Sequence, residues 1–165
     1  MSIIGIDKEF YDIEDNKLIF RDNLYSKISE NVVFPKSLKA IKFGLYYNEP
    51  LENVKWPESL KEIDFGHSFN QSLDKIIFPE TVEVIKFWRA FNQSLENVVF
   101  PKSLKKLQLS SDFNQSLENV VFPESLEELE FGDKFNQSLN NLPNTLKVLT
   151  FKNLNEPLMN LPIGL

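Results

Sequence analysis

The chain has no cysteine in 165 residues and one histidine, His67. Without cysteine there is no disulfide and no cysteine-ligated zinc, which fits a reducing compartment. A single histidine excludes multi-histidine metal sites and leaves a Ser-His-Asp triad little to build on. Glycine is scarce too, at five residues. No Gly-rich phosphate loop, Walker motif or nucleophile elbow occurs. Positive charge is in deficit. The formal net charge of −6 disfavours nonspecific binding to nucleic acid or to an anionic membrane. Long hydrophobic runs are missing: no stretch is long enough to span a bilayer. Residues 1–8 lack the basic head and apolar run of a signal peptide. The expectation is an intracellular, cytoplasmic protein that is not an enzyme, with no cofactor, no metal, no nucleic-acid partner and no membrane partner.

What is present is repetition. Pro35, Pro57, Pro79, Pro101 and Pro123 are spaced 22 residues apart, and residues 91–101 and 113–123 are identical. Self-similarity at such a period marks a solenoid. Each unit carries Leu-x-x-Leu-x-Phe or a close variant, at 38–43, 60–65, 82–87, 104–109, 126–131 and 146–151. Its last three residues alternate in-out-in, the period of a strand with one buried face. A 22-residue coil is too short for a strand, a full helix and two turns, so the return path is extended or irregular. Phe-Asn-Gln-Ser-Leu follows at 69–73, 91–95, 113–117 and 135–139. An Asn fixed in a turn bonds neighbouring backbone through its amide, so stacked turns align into a ladder. We expect Asn92, Asn114 and Asn136 to be buried in that ladder. The four Asn-Gln-Ser triplets match the glycosylation pattern formally, but their place in a structural column argues against that use. Val-Val-Phe-Pro closes the coil: β-branching disfavours helix, and proline holds the preceding residue extended. Thirteen of the fifteen phenylalanines lie from Phe34 to Phe151 at recurring positions, and so read as core. Phe91, Phe113 and Phe135 are expected to stack, with Leu107, Leu129 and Leu149 lining the inner face of the sheet.

Residues 1–30 match the repeat poorly and read as an N-terminal cap, with a first strand at 17–20; residues 31–165 read as one continuous repeat domain. Terminal coils need a cap because nothing else covers their core. The fold class is mainly β: a right-handed leucine-rich-repeat solenoid with 22-residue repeats, a parallel sheet on the concave face and few or no helices.

Together, the Phe-Asn-x-[Ser/Pro]-Leu, Pro-x-[Ser/Thr]-Leu and Leu-x-x-Leu-x-Phe elements resemble the FNIP repeat family over roughly residues 25–165. That family is a short leucine-rich-repeat class of social amoebae and giant viruses. Members often carry an F-box ahead of the repeats, which implies substrate recognition for ubiquitin ligases. Only about 30 residues precede the repeats here, so an F-box is absent or outside this chain. The resemblance implies a protein-binding module that uses the concave face.

On that face the third, fifth and seventh positions of Leu-x-x-Leu-x-Phe-x are expected to point outward. The fifth column runs Lys42, Asp64, Lys86, Gln108, Glu130, Thr150, so Asp64 sits between two cations that it can pair with. The seventh runs Gly44, Gly66, Trp88, Ser110, Gly132, Lys152. Trp88 breaks this column of small residues and Arg89 follows it. Aromatics and Arg are enriched at binding hot spots. Trp88, Arg89, Lys86 and His67 are therefore the candidate recognition patch, suited to an acidic, hydrophobic segment of an unidentified protein partner. Trp56, in the Phe column, reads as core. The acidic cluster at Glu124, Glu127, Glu128, Glu130 and Asp133 reads as solvated surface rather than as a glycosidase pair. The chain is expected to be a monomer. The alternative reading is a structural element that self-associates through the solenoid ends.

Overall fold

In the computed structural model, which describes residues 3–152, every repeat motif delivers one short strand. After a 3₁₀ turn at Lys8–Phe10 come β1 (Tyr11–Glu14) and β2 (Lys17–Phe20). The repeats then give β3 (Ala40–Lys42), β4 (Glu62–Phe65), β5 (Val84–Phe87), β6 (Lys106–Gln108), β7 (Glu128–Phe131) and β8 (Val148–Phe151). There is no α-helix among the described residues. The eight strands form one sheet whose spatial order is the sequence order. β1 and β2 make an antiparallel hairpin, closed by Asp15 and Asn16 at positive φ, the residue types that tolerate the left-handed turn. All later pairs are parallel, with Ile41, Ile63, Ile85, Leu107 and Leu129 in successive register. A parallel sheet without intervening helices, one strand per coil, is a β-solenoid. The strand expected at 17–20 is the first to enter this parallel stack.

The core is the interior of the coil. Leu38, Leu60, Val82, Leu104 and Leu126 are fully buried where the chain turns into each strand. Burying such a side chain contributes about 1.5–3 kcal/mol. Phe91, Phe113 and Phe135 stack as expected, with centroids 6.2 and 6.1 Å apart. Leu107 and Leu129 are buried and Leu149 partly so. Trp56 is core, stacked on Phe34. The rings also report curvature. Beside the sheet, Phe43, Phe65 and Phe87 stack at 5.8 and 4.7 Å, whereas on the back Phe34–Trp56 and Phe100–Phe122 stand 6.4 and 6.2 Å apart. The coils fan open away from the sheet, which is therefore concave.

Polar columns tie coil to coil. The hydroxyls of Ser59, Thr81, Ser103, Ser125 and Thr145 each donate to the carbonyl of the leucine or valine that begins the strand turn one coil earlier. The asparagines form the expected ladder: each side-chain oxygen of Asn48, Asn70, Asn92 and Asn114 accepts the backbone N–H of the next, at 2.7–2.9 Å. The glutamine next to each donating N–H adds a second donor to the same oxygen. Their expected burial is corrected. Asn92 and Asn114 are half-buried and Asn136 is exposed. The ladder runs along a corner of the solenoid, so only one amide oxygen need be enclosed.

Two outcomes follow. Asn114→Ala leaves the N–H of Asn136 without its acceptor and removes a rung, which should cost about 1–3 kcal/mol in chemical denaturation. Glu83 bridges Lys61 and Lys105 of the flanking coils at 2.5 and 2.9 Å. Hydrogen bonds from Lys61 and then Lys105 hold its carboxyl down at about 2. A depressed folded-state value means stabilisation that is present above the ordinary carboxylate range and lost as pH falls towards 2. The stability difference between wild type and Glu83→Gln should therefore be full above about pH 5 and shrink on acidification. Because the site is exposed, it should be small and weakened by salt.

Candidate protein-recognition site

The seventh column does not behave as one environment. A Cβ on Gly66 would lie 2.0 Å from the Gly44 carbonyl oxygen; one on Gly44 would lie 2.5 Å from that of Arg21, and one on Gly132 2.2 Å from that of Ser110. Here the coils meet backbone on backbone, and glycine is required by close approach rather than by exposure. Ser110 is fully buried and its hydroxyl donates to the Phe91 carbonyl. The expectation that this column faces the concavity therefore fails for the glycines and for Ser110. It holds for Trp88, which is 36% exposed and borders the groove on the sheet face.

Trp88 is fixed on two sides. Its indole N–H donates to the Asp64 carboxylate at 2.5 Å, and the His67 ring stacks on it at 5.5 Å with 11° between planes. Asp64 is 6% exposed, so the indole serves a buried carboxylate. This corrects the expected pairing of Asp64 with Lys42 and Lys86. Lys86 instead reaches Glu62 at 2.7 Å. The tryptophan occupies the carboxylate that the lysines were expected to share. Of the four predicted residues, Trp88 and His67 are in direct contact. Lys86 lies one strand position before Phe87 and is held by Glu62; Arg89 follows Trp88 and is exposed.

Two contiguous depressions flank this pair. One, of about 440 Å³, lies over Gly44 and Gly66, with Arg21 and Asp22 at one end and Trp88 at the other. The second, of about 470 Å³, continues past Leu45, Tyr46 and Arg89. Leu45 and His67 border both. The glycines let the coils approach backbone on backbone along the floor of the first depression. Most charges here are engaged: Arg21 is bidentate on Asp12, Asp22 accepts the Leu45 N–H, and Asp112 holds Lys134. Among the described residues Lys42 and Arg89 have no carboxylate partner. An acidic chain thus carries uncommitted cations beside exposed aromatic rings.

Sequence reasoning missed Tyr25 and Tyr46, which are 62% and 57% exposed and stack on each other at 6.4 Å. A signal existed. Tyr25, Tyr46, His67 and Trp88 recur every 21 residues, one short of the repeat, so the aromatic series drifts by one position per coil. Among the described residues no three His, Asp or Glu side chains converge as a metal site, and no helix is long and apolar enough to cross a membrane.

The sequence model of the FNIP repeat matches residues 47–88 and 91–134, together more than half of the chain. The chain belongs to the FNIP repeat family. A solved structure described as that of CroV588, a novel circular LRR protein, is similar in fold, with a TM-score of 0.62 and 37% identity. The alignment covers 82% of this chain but 23% of that one, so this FNIP chain spans about a quarter of its length. No curated protein matches the chain significantly.

The anchoring of Trp88 is testable. Trp88→Phe keeps a ring against His67 but strands the Asp64 carboxylate, and should lower stability by about 1–3 kcal/mol. Adding Asp64→Asn should recover most of the loss. An unchanged melt for Trp88→Phe would mean that the indole N–H has no structural part.

Proposed function

We propose that this FNIP chain is a non-catalytic protein-interaction module that recognises an acidic, apolar segment of a partner protein on its concave face. Trp88, His67 and Arg89 form the centre, with Lys86 at its margin. The carrying observation is the Trp88–His67 stack standing over a trough floored by Gly44 and Gly66, with Lys42 and Arg89 uncommitted beside it. A rigid aromatic ring held by a second-residue hydrogen bond offers contact area at little entropic cost, and free cations add steering and register. Repeat solenoids in general present extended concave surfaces to partners, which supports the choice of face. The cysteine-free sequence supports an intracellular setting.

Affinity capture tests this reading. The wild-type chain is compared with Trp88→Ala/Asp64→Asn/Arg89→Ala, in which no buried carboxylate is stranded. Specific partners should be lost from the variant while its melting stays cooperative. Retention of every captured protein would place recognition elsewhere. Concentration-dependent assembly without any capture would favour stacking through the solenoid ends instead.

A further inference from the structure

The back of the solenoid carries a second surface that the concave site does not use. In each Val-Val-Phe-Pro segment the first valine and the phenylalanine face inward and the second β-branched residue faces out. Ile77, Val99 and Val121 are 84%, 74% and 76% exposed, one per coil in three consecutive coils. Lys55 occupies the same column in the coil before and bounds the ridge there; the short coil after Val121 has no equivalent residue, its Leu142 taking the inward place of Val120. Extended backbone before proline explains β-branching there, but threonine would satisfy it equally. The exposed apolar surface is not demanded by packing, and contiguous surface of this kind marks interaction sites.

The ridge ends in a notch. From Pro123 to Pro143 the repeat is 20 residues instead of 22. The short coil supplies Leu142-Pro143 but no ring to follow Phe122, and the Asn141 amide bonds the Leu117 and Val120 carbonyls of the coil before. Phe122 keeps Phe100 on one side at 6.2 Å and is only partly buried, whereas Phe34, Phe78 and Phe100 are buried. An open depression of about 470 Å³ lies between Val121, Phe122, Leu142 and Pro143.

Beside the ridge runs an acidic column. Asp74, Glu96 and Glu118 are all exposed, three residues ahead of Ile77, Val99 and Val121 in the same coils. Glu96 accepts one bond from Asn119, while Asp74 and Glu118 have no ion pair among the described residues. Lys75 is the one cation in residues 74–77, 96–99 and 118–121. Like charges aligned coil on coil repel one another, and a cationic occupant relieves that repulsion.

We propose that this ridge docks a basic amphipathic helix of a partner protein, its apolar stripe on Ile77, Val99 and Val121. A large apolar side chain enters the notch at Phe122, and Lys or Arg along one flank meets Asp74, Glu96 and Glu118. Geometry selects the helix. The Phe100 and Phe122 rings beneath the ridge, one coil apart, stand 6.2 Å from centre to centre, close to the about 6 Å rise between positions i and i+4 of a helix. Helix flanking positions lie beside the stripe, where the acids are; in a strand the intervening residues point away. This site is independent of the concave reading.

The probe is a synthetic, fluorescein-labelled helical peptide of about 16 residues, with leucine at i, i+4 and i+8, lysine on one flank and alanine elsewhere. Anisotropy titrations are run against wild type, Val99→Ser/Val121→Ser, Asp74→Asn/Glu118→Gln and Arg89→Ala. All positions changed are on the surface, and circular dichroism checks the fold. Wild type should bind. The serine pair should weaken binding about tenfold or more, and the charge-neutral pair should weaken it and flatten its salt dependence. Arg89→Ala should leave it unchanged, and a peptide with glutamate for lysine should not bind. The proposal is overturned if wild type does not bind. It is equally overturned if the serine pair binds as tightly as wild type, which leaves only attraction to an acidic protein, or if Arg89→Ala alone abolishes binding.

Discussion

Coil-to-coil registry is the constraint on which everything else depends. No coil is stable alone, because each exposes its apolar interior and its strand edges to the next. The strand ladder, the Ser/Thr hydroxyl ties and the Asn ladder must all line up at once, from Leu38–Ser59 at one corner to Asn70–Asn92 at another. A change in coil length is accommodated only where it displaces none of them, as on the back of the 20-residue coil, which keeps all three. This is why the 22-residue spacing holds from Pro35 to Pro123. It is also why the β1–β2 hairpin matters: its second strand offers Leu18 in register with Ile41 and starts the stack.

Registry was legible in the sequence because it repeats. The strands, the stacked Phe91–Phe113–Phe135 column and the Asn ladder all follow from period and residue type. What was not legible is what differs between members of one column. Gly66 and Trp88 occupy equivalent positions, yet one is pressed against the neighbouring backbone and the other projects outward. Asp64 and Lys86 read as an ion pair until Trp88 is placed over the carboxylate. Asn136 was expected to be buried, because a column of identical residues suggests one environment, whereas it lies exposed at a corner. The aromatic drift through Tyr25 and Tyr46 escaped notice for the opposite reason: its step is not that of the repeat.

The two surfaces share a logic. Positions that recur keep the coils stacked, and departures from them release side chains to face outward. Trp88 departs by residue type in a column of small residues. The notch at Phe122 departs by length, where two residues are missing from the following coil. Each departure has a local structural answer, Asp64 for the indole and the Asn141 amide for the short coil. Each also leaves an aromatic ring partly open to solvent, next to charge of one sign. The concave site gathers uncommitted cations; the back ridge carries carboxylates.

We propose that the scaffold resides in the repeated residues and recognition in the departures. Restoring the repeat at the concave site separates the two. In the variant Trp88→Gly/Arg89→Asp/Asp64→Thr, the first two positions copy Gly132-Asp133 and the third copies Thr150. Binding of this variant to the partner captured by the wild-type chain is then measured by calorimetry. The account predicts a folded solenoid with a cooperative melt close to that of wild type and no measurable binding. Undiminished affinity in the repeat-restored chain would contradict it.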